Sequence, residues 1–317
     1  MHQSMKNYGA NNFILYLRRL FDPCVVDHLI NLYHIGTSNG AKWWGKGGNG
    51  MSTVFYFLNI NKQIRYGQVK LFDSTGHTAK FIDHDGDSSS CTTGVHTILK
   101  GAYKANMTAL PDWLKGYYEY REQGNLLLDC FFGEHLLNMQ EYSTLPVAIV
   151  EAPKTAIVAS VFFPEYCWLA IGSLSYLTPD RCKVLAGKRI VLFPDLGAYG
   201  KWCDRAALCF TGNTQYKVSD LLERIATPEQ RSKGLDLCDY LETEQVRRDL
   251  VNNFKQAIIT GNLQTDAEHI SMWYKYERRG LRAIDRKQAY EELIAEGELT
   301  ITDQQGNPIQ QQLNTAA

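Results

Sequence analysis

Residues 147–156 read VAIVEAPKTA and residues 189–202 read RIVLFPDLGAYGKW. Each is a short apolar run broken abruptly by an acidic residue, Glu151 in the first and Asp195 in the second. Val147–Val150 is too short for a helix and predicts a buried strand. Pro153 stands where a helix can open, and Thr155–Phe163 stays apolar until Pro164 stops it. Cys167–Ile171 predicts a second buried strand, ended by Gly172. Thr178-Pro179 has the form of an N-cap with proline at N1, opening a helix that closes at Gly187. Arg189–Phe193 is a third strand, followed by a helix through Trp202–Cys209 and a fourth strand at Tyr216–Val218. Strand and helix alternating at this spacing predict an α/β fold, a parallel sheet with flanking helices.

Upstream the pattern differs. Asn12–Tyr33 has near-helical apolar spacing broken at Asp22-Pro23, which predicts two short helices. Gly36–Gly50 is a glycine-rich loop carrying Lys42, Trp43, Trp44 and Lys46. Its GKGGNG lacks the spacing of a phosphate-binding loop and precedes a strand, so a flexible loop or edge turn is expected. Thr53–Leu58, Gln63–Leu71 and Thr78–Ile82 predict a small antiparallel meander. His84–Ser90 is a polar loop; Asp83, Asp85 and Asp87 lack the glycine and distal glutamate of a calcium loop. Ala109–Gly124 looks like an insertion with exposed aromatic residues. Beyond Leu241 the chain turns helical and charged, with Asn252–Ile259 and Asp285–Ala295 as the better helices and Gln304–Ala317 as a loose tail. Three parts are therefore expected: 1–140, 141–242 and 243–317.

Composition narrows the class of protein. Hydrophobic residues at 44% and charged residues at 21% suit a globular chain with a sizeable core. No apolar run is long enough for a membrane span, and the first residues carry no secretory pattern, so a cytoplasmic protein without membrane partners is expected. The eight cysteines include no C-x-x-C pair, so neither zinc nor a disulfide framework is expected, and buried free thiols are. A net charge of −1 leaves nucleic-acid binding open only if positive charge is concentrated locally.

In an open parallel sheet, functional groups gather beyond the carboxyl ends of the strands. Glu151 and Asp195 stand at two such ends. Carboxylates facing each other repel, and a divalent cation between them relieves the repulsion. Oxygen-only ligands favour Mg²⁺ or Mn²⁺. The same two positions also suit plain caps on neighbouring helices.

These stretches resemble the signatures of the toprim domain in the catalytic cores of bacterial replicative primases. VAIVEAPKTA is similar to the strand-glutamate signature, IVLFPDLGAYGKW to the strand with D-x-D, and LAIGSLSYLT (169–178) to the strand and turn between them. GLDLCDYL (234–241) resembles a downstream acidic element, which places Asp236 and Asp239 near the same site. TVFYFLNINKQIRYGQVKLFDSTGHTAKF (53–81) resembles the primase segment that binds nucleotide and template, with Lys70 and Lys80 at its basic positions, and CFFGEHLL (130–137) resembles the joint leading into toprim. The chain also resembles a family of toprim-like proteins of Bacteroides-type bacteria and their mobile elements.

The resemblance implies a toprim-type sheet preceded by an α+β primase-like subdomain. It implies a protein acting on single-stranded DNA and nucleotides in replication, with a helicase or other replication protein as a further partner. Glu151 would be general acid/base or metal ligand, Asp195 the Mg²⁺ ligand with Asp236 and Asp239 completing the set, and Lys70, Lys80 and Lys154 nucleotide or template contacts. Departures accompany it. Gly197 stands at the second Asp of D-x-D, Ala152 at the glycine after the glutamate, Thr155 where some primases carry an acid, and no zinc-binding module is recognisable. A two-ion site needs several carboxylates, so a primase-derived binding protein without metal chemistry is the competing expectation. Strand cleavage by a tyrosine would need one near the site, and Tyr199 is adjacent in sequence. Lys275–Lys287, with Arg278, Arg279 and Arg282 beside Trp273, Tyr274 and Tyr276, suits either a nucleic-acid backbone with stacking or a solvated charged helix.

Overall fold

The computed structural model describes residues 1–39, 51–82, 86–124, 128–212 and 214–242. The glycine loop at Lys42–Lys46, the basic stretch with Arg278, Arg279 and Arg282, the helices at Asn252–Ile259 and Asp285–Ala295, and the tail Gln304–Ala317 lie outside those residues.

The two N-terminal helices form as their caps dictate. Asn11 accepts the Phe13 and Ile14 amides at the start of α1 (Asn12–Leu20), and Pro23 at the N1 position opens α2 (Pro23–Tyr33). An antiparallel sheet follows, but its strands are not the expected three. β1 (Ile35–Ser38), placed by the sequence inside the glycine loop, pairs with β2 (Ser52–Leu58), which pairs with β3 (Ile64–Lys70). After β3 the chain turns sharply. The Asp73 carboxylate accepts the Thr75 and His77 amides, and Phe72 bridges back to Thr78. That turn peels residues 78–82 away from the sheet. β4 (Lys80–Ile82) pairs instead with β5 (Ser88–Ser90), and β6 (Thr92–Gly94) takes the place beside β3. The serine run read as a loop is thus a strand, because ladder pairing needs only main-chain groups. α3 (Val95–Ala105), unannounced by the sequence, and α4 (Asp112–Glu122), within the stretch read as an insertion, come next.

The parallel sheet matches its sequence pattern closely. β7 (Val147–Val150), β8 (Cys167–Ala170), β9 (Arg189–Leu192) and β10 (Gln215–Val218) stand in the order β10-β9-β7-β8, all parallel. α5 (Pro153–Phe162) joins β7 to β8 and is buried along its whole length, as expected of a helix apolar on every side. α6 (Pro179–Cys182) and α7 (Tyr199–Cys209) flank β9; α8 (Leu221–Ile225), α9 (Pro228–Arg231) and α10 (Leu237–Leu241) follow β10.

One core serves both sheets. Phe13 and Leu17 of α1, Phe55 and Phe57 of β2, Phe132, the whole of β7, and Ile157 and Val158 of α5 belong to a single buried cluster. Phe132 also extends the parallel sheet by an antiparallel bridge to Ala170. The antiparallel sheet is therefore packed against the unit that carries Glu151 and Asp195. None of the eight cysteines forms a disulfide. Among the described residues no helix is long and apolar enough to cross a membrane.

Candidate functional site

Strand order places the site. From β7 the chain goes to β8 on one side, then crosses to β9 on the other. The carboxyl ends of β7 and β9 therefore flank the point where the winding reverses, where open α/β sheets hold ligands. Glu151 is the first residue after β7. Its main-chain carbonyl accepts the Gly172 amide at 2.8 Å, and its carboxylate accepts the Leu174 amide. Asp195 lies just past β9. The next residue, Leu196, donates its amide to the Leu235 carbonyl at 2.8 Å, which draws the turn before α10, with Asp236, alongside Asp195.

The charges interact strongly. Burial pushes the Asp195 carboxyl up to about 8, and Asp236, Glu151 and Asp239 push in the same direction while Lys70 opposes them. Burial also raises Glu151, against the pull of Lys70 and the Leu174 amide. Lys70, at the end of β3, is a base coupled to these acids, and its pKa is lowered overall. Burial lowers its pKa, and Asp236, Glu151 and Asp195 raise it. A perturbed acid and a perturbed base coupled at a sheet's switch point make this the candidate functional site.

Asp236 and Asp239 have a second occupation. Asp236 caps α10: Oδ1 accepts the Asp239 amide at 3.1 Å while Asp239 Oδ2 accepts the Asp236 amide at 2.9 Å, a reciprocal capping box. Asp236 Oδ2 accepts the Thr155 hydroxyl at 2.6 Å. Thr155, noted in the sequence only as a missing acid, is thus the partner of a present one. His77 Nε2 lies 3.8 Å from Asp239 Oδ1.

Among the remaining sequence candidates, Lys154 is coupled to Asp236, Asp239 and Lys70 but makes its ion pair elsewhere. Lys154 is buried, 3.0 Å from Glu242 and over the Tyr16 ring; burial pulls its pKa down, but Cys238 and Glu242 outweigh that and hold it at about 12. Its charge is spent inside the fold, on a network in which Tyr16 also donates to Glu242. Lys80 is exposed on β4, opposite Ser90, because the turn after β3 carries it off the sheet that holds Lys70. Tyr199 is exposed and hydrogen-bonded to Cys203. Gly197 has φ +83°, a conformation that suits glycine and strains aspartate, and its amide donates to Glu223 at 2.7 Å. Thr155, Glu223 and the Leu174 amide are the participants that sequence reasoning missed. Only the Asp-x-x-Asp spacing of the capping box carried a readable signal.

The donor set suits one hard cation better than two. Mg²⁺ is commonly held by one or two carboxylates, with water and substrate phosphate completing its shell. Glu151 and Asp195 are the candidate pair; burial first, and then repulsion from Asp236, Glu151 and Asp239, raises the Asp195 pKa, and a cation would relieve the repulsive part. A second ion would need further free carboxylates, and both Asp236 oxygens are already engaged. Among the described residues no group of three acid, histidine or cysteine side chains has metal-binding geometry.

The sequence profile of a domain of unknown function, DUF6371, matches residues 11–196, more than half of the chain. The chain belongs to that family. The DUF6371 match takes in Lys70, Glu151 and Asp195 and ends before Asp236. No curated protein matches the sequence significantly. Similar solved structures are primases. The Aquifex aeolicus primase (zinc-binding and RNA polymerase domains) is 11% identical, covering 90% of this chain and 66% of its own, with a TM-score of 0.41. The E. coli primase catalytic core is 11% identical, covering 90% and 95%, with a TM-score of 0.39. The primase fragment of the bacteriophage T7 primase-helicase is 14% identical, covering 65% and 69%, with a TM-score of 0.34.

Proposed function

We propose that this chain is a primase-like protein acting on nucleic acid, with Glu151, Asp195 and Lys70 forming a centre for nucleotidyl transfer onto a single-stranded DNA template. One observation carries the reading: carboxylates from separate segments are electrostatically coupled to the buried Lys70 at the switch point of a parallel sheet. The order of sequence motifs from Lys70 through Glu151 and Asp195 to Asp236 supports it. Replication of a mobile element, with a helicase or other replication protein as partner, is the setting the sequence resemblance favours.

In this scheme Glu151 and Asp195 would hold one Mg²⁺ or Mn²⁺, which supplies charge neutralisation for a transferring phosphoryl group. Lys70 contacts the phosphate oxygens as a point charge. Where Glu151 serves as the base in place of a ligand, its carboxylate, fixed by the Leu174 amide, would take the proton of the hydroxyl that bonds to the α-phosphorus as pyrophosphate leaves. Thr155 and the capping box hold Asp236 in place, where its charge opposes the lowering of the Lys70 pKa by burial.

Specific observations favour a second reading, a primase-derived DNA-binding protein without metal chemistry. Gly197 replaces a carboxylate in a conformation where aspartate is strained, and Asp236 is consumed by local bonds. Calorimetric titration of Mg²⁺ and Mn²⁺ in the presence of single-stranded DNA separates the two. The enzyme reading expects ion binding that Glu151→Gln and Asp195→Asn each abolish, and nucleotide incorporation that follows it. DNA binding with no ion binding would leave the second reading.

A further inference from the structure

The register of the antiparallel sheet puts three polar residues of β3 in one row. Tyr66 lies opposite Phe57, Gln68 opposite Phe55, and Lys70 opposite Thr53. Side chains alternate along a strand, so Tyr66, Gln68 and Lys70 share the face of Phe55 and Phe57, which looks into the main core. The other face carries Val54, Tyr56 and Val69 beneath Val95 and Ile98. At one end of the row Lys70 is electrostatically coupled to Asp236, Glu151 and Asp195. At the other, Tyr66 stands 5.9 Å from the His96 ring, which lies 4.7 Å from Tyr117.

Gln68 sits between them, 9% exposed, and its buried Oε1 has no hydrogen-bond partner. Buried amide oxygens almost always find a donor, so an orphan needs an explanation. Its neighbour across the sheet is Gly94, where an added Cβ would meet the His96 ring at 2.2 Å. The glycine lets His96 lie against this row. A side-chain amide thus stands one strand repeat from Lys70, about 7 Å away, with aromatic rings on its far side.

We infer that Gln68 reads the base of an adenine nucleotide, accepting the N6 amine at Oε1 while Lys70 holds the phosphate and Tyr66 and His96 offer stacking faces. Glutamine pairs with adenine through N6 and N7, and aromatic rings stack on any base. The inference rests on Lys70 being the phosphate contact proposed above.

Titration of the full chain with ATP, ITP and inorganic tripolyphosphate tests it, because ITP keeps the purine ring and replaces the amine with a carbonyl. Wild type is expected to bind ATP at least about tenfold more tightly than ITP. Gln68→Leu should bring the two to parity, leave tripolyphosphate binding unchanged, and melt no lower than wild type, since it removes an unpaired acceptor. Equal ATP and ITP affinity in wild type, with tripolyphosphate still bound, would overturn the base assignment and leave the phosphate site standing. Failure to bind any of the three would remove both.

Discussion

The two pairs of acids at the site are built differently. Glu151 and Asp195 are set by strands: each follows a buried β-strand, and burial raises the pKa of both. Asp236 and Asp239 are set by each other: their oxygens accept main-chain amides of their own turn and the Thr155 hydroxyl. Burial also raises Asp239, but there helix-capping hydrogen bonds offset part of the cost, whereas Glu151 has a single main-chain amide against it. The first pair should therefore govern chemistry and the second stability.

The largest expected effect is on activity. Glu151→Gln and Asp195→Asn should each lower nucleotide incorporation by at least about a hundredfold without loss of fold, read by a primer-synthesis assay beside a melting curve. An equal loss in Asp239→Asn would erase the contrast between the pairs.

The next is a pH dependence. Asp195 keeps its proton up to about pH 8 in the folded protein, whereas an unfolded chain releases it near pH 4. Across that window the folded state binds more protons, so stability falls as pH rises, fully present below the lower limit and lost through the upper one. The difference is at most roughly 5 kcal/mol. Asp195→Asn should flatten the denaturation midpoint against pH, and unchanged slopes would contradict the burial account.

Asp236→Ala removes a cap and strands the Thr155 hydroxyl; an unfolding loss of about 2 kcal/mol is expected by urea titration. Thr155→Val, which takes one donor from Asp236, should cost about 1 kcal/mol. Smallest is Gly197→Asp, which restores the missing acid of D-x-D at positive φ. It should destabilise by about 1 kcal/mol and leave ion affinity unimproved; a clear gain in Mg²⁺ affinity would show that the loop can relax.

Legibility in the sequence followed the strength of the local signal. The parallel strands are short apolar runs, and Val147–Val150 stands where its pattern put it. Glu151 and Asp195 were visible because an acid after such a run is conspicuous. The antiparallel sheet misled because β6 is three small polar residues without apolar alternation, and Lys80 looked equivalent to Lys70 until the turn at Asp73 separated them. Gln68 gave no signal, since its facing depends on register with β2, which composition does not encode.

α5 has every residue buried, and α10 is packed against it. The Thr155–Asp236 and Lys154–Glu242 contacts fasten the two. The stretch matched by the family profile ends at residue 196, before β10 and before any of that covering. A fragment trimmed to the profile would keep both signature acids and uncover one side of its central helix. Such a fragment is expected to aggregate on expression, so a shortened form meant to be handled in solution should run at least through Glu242.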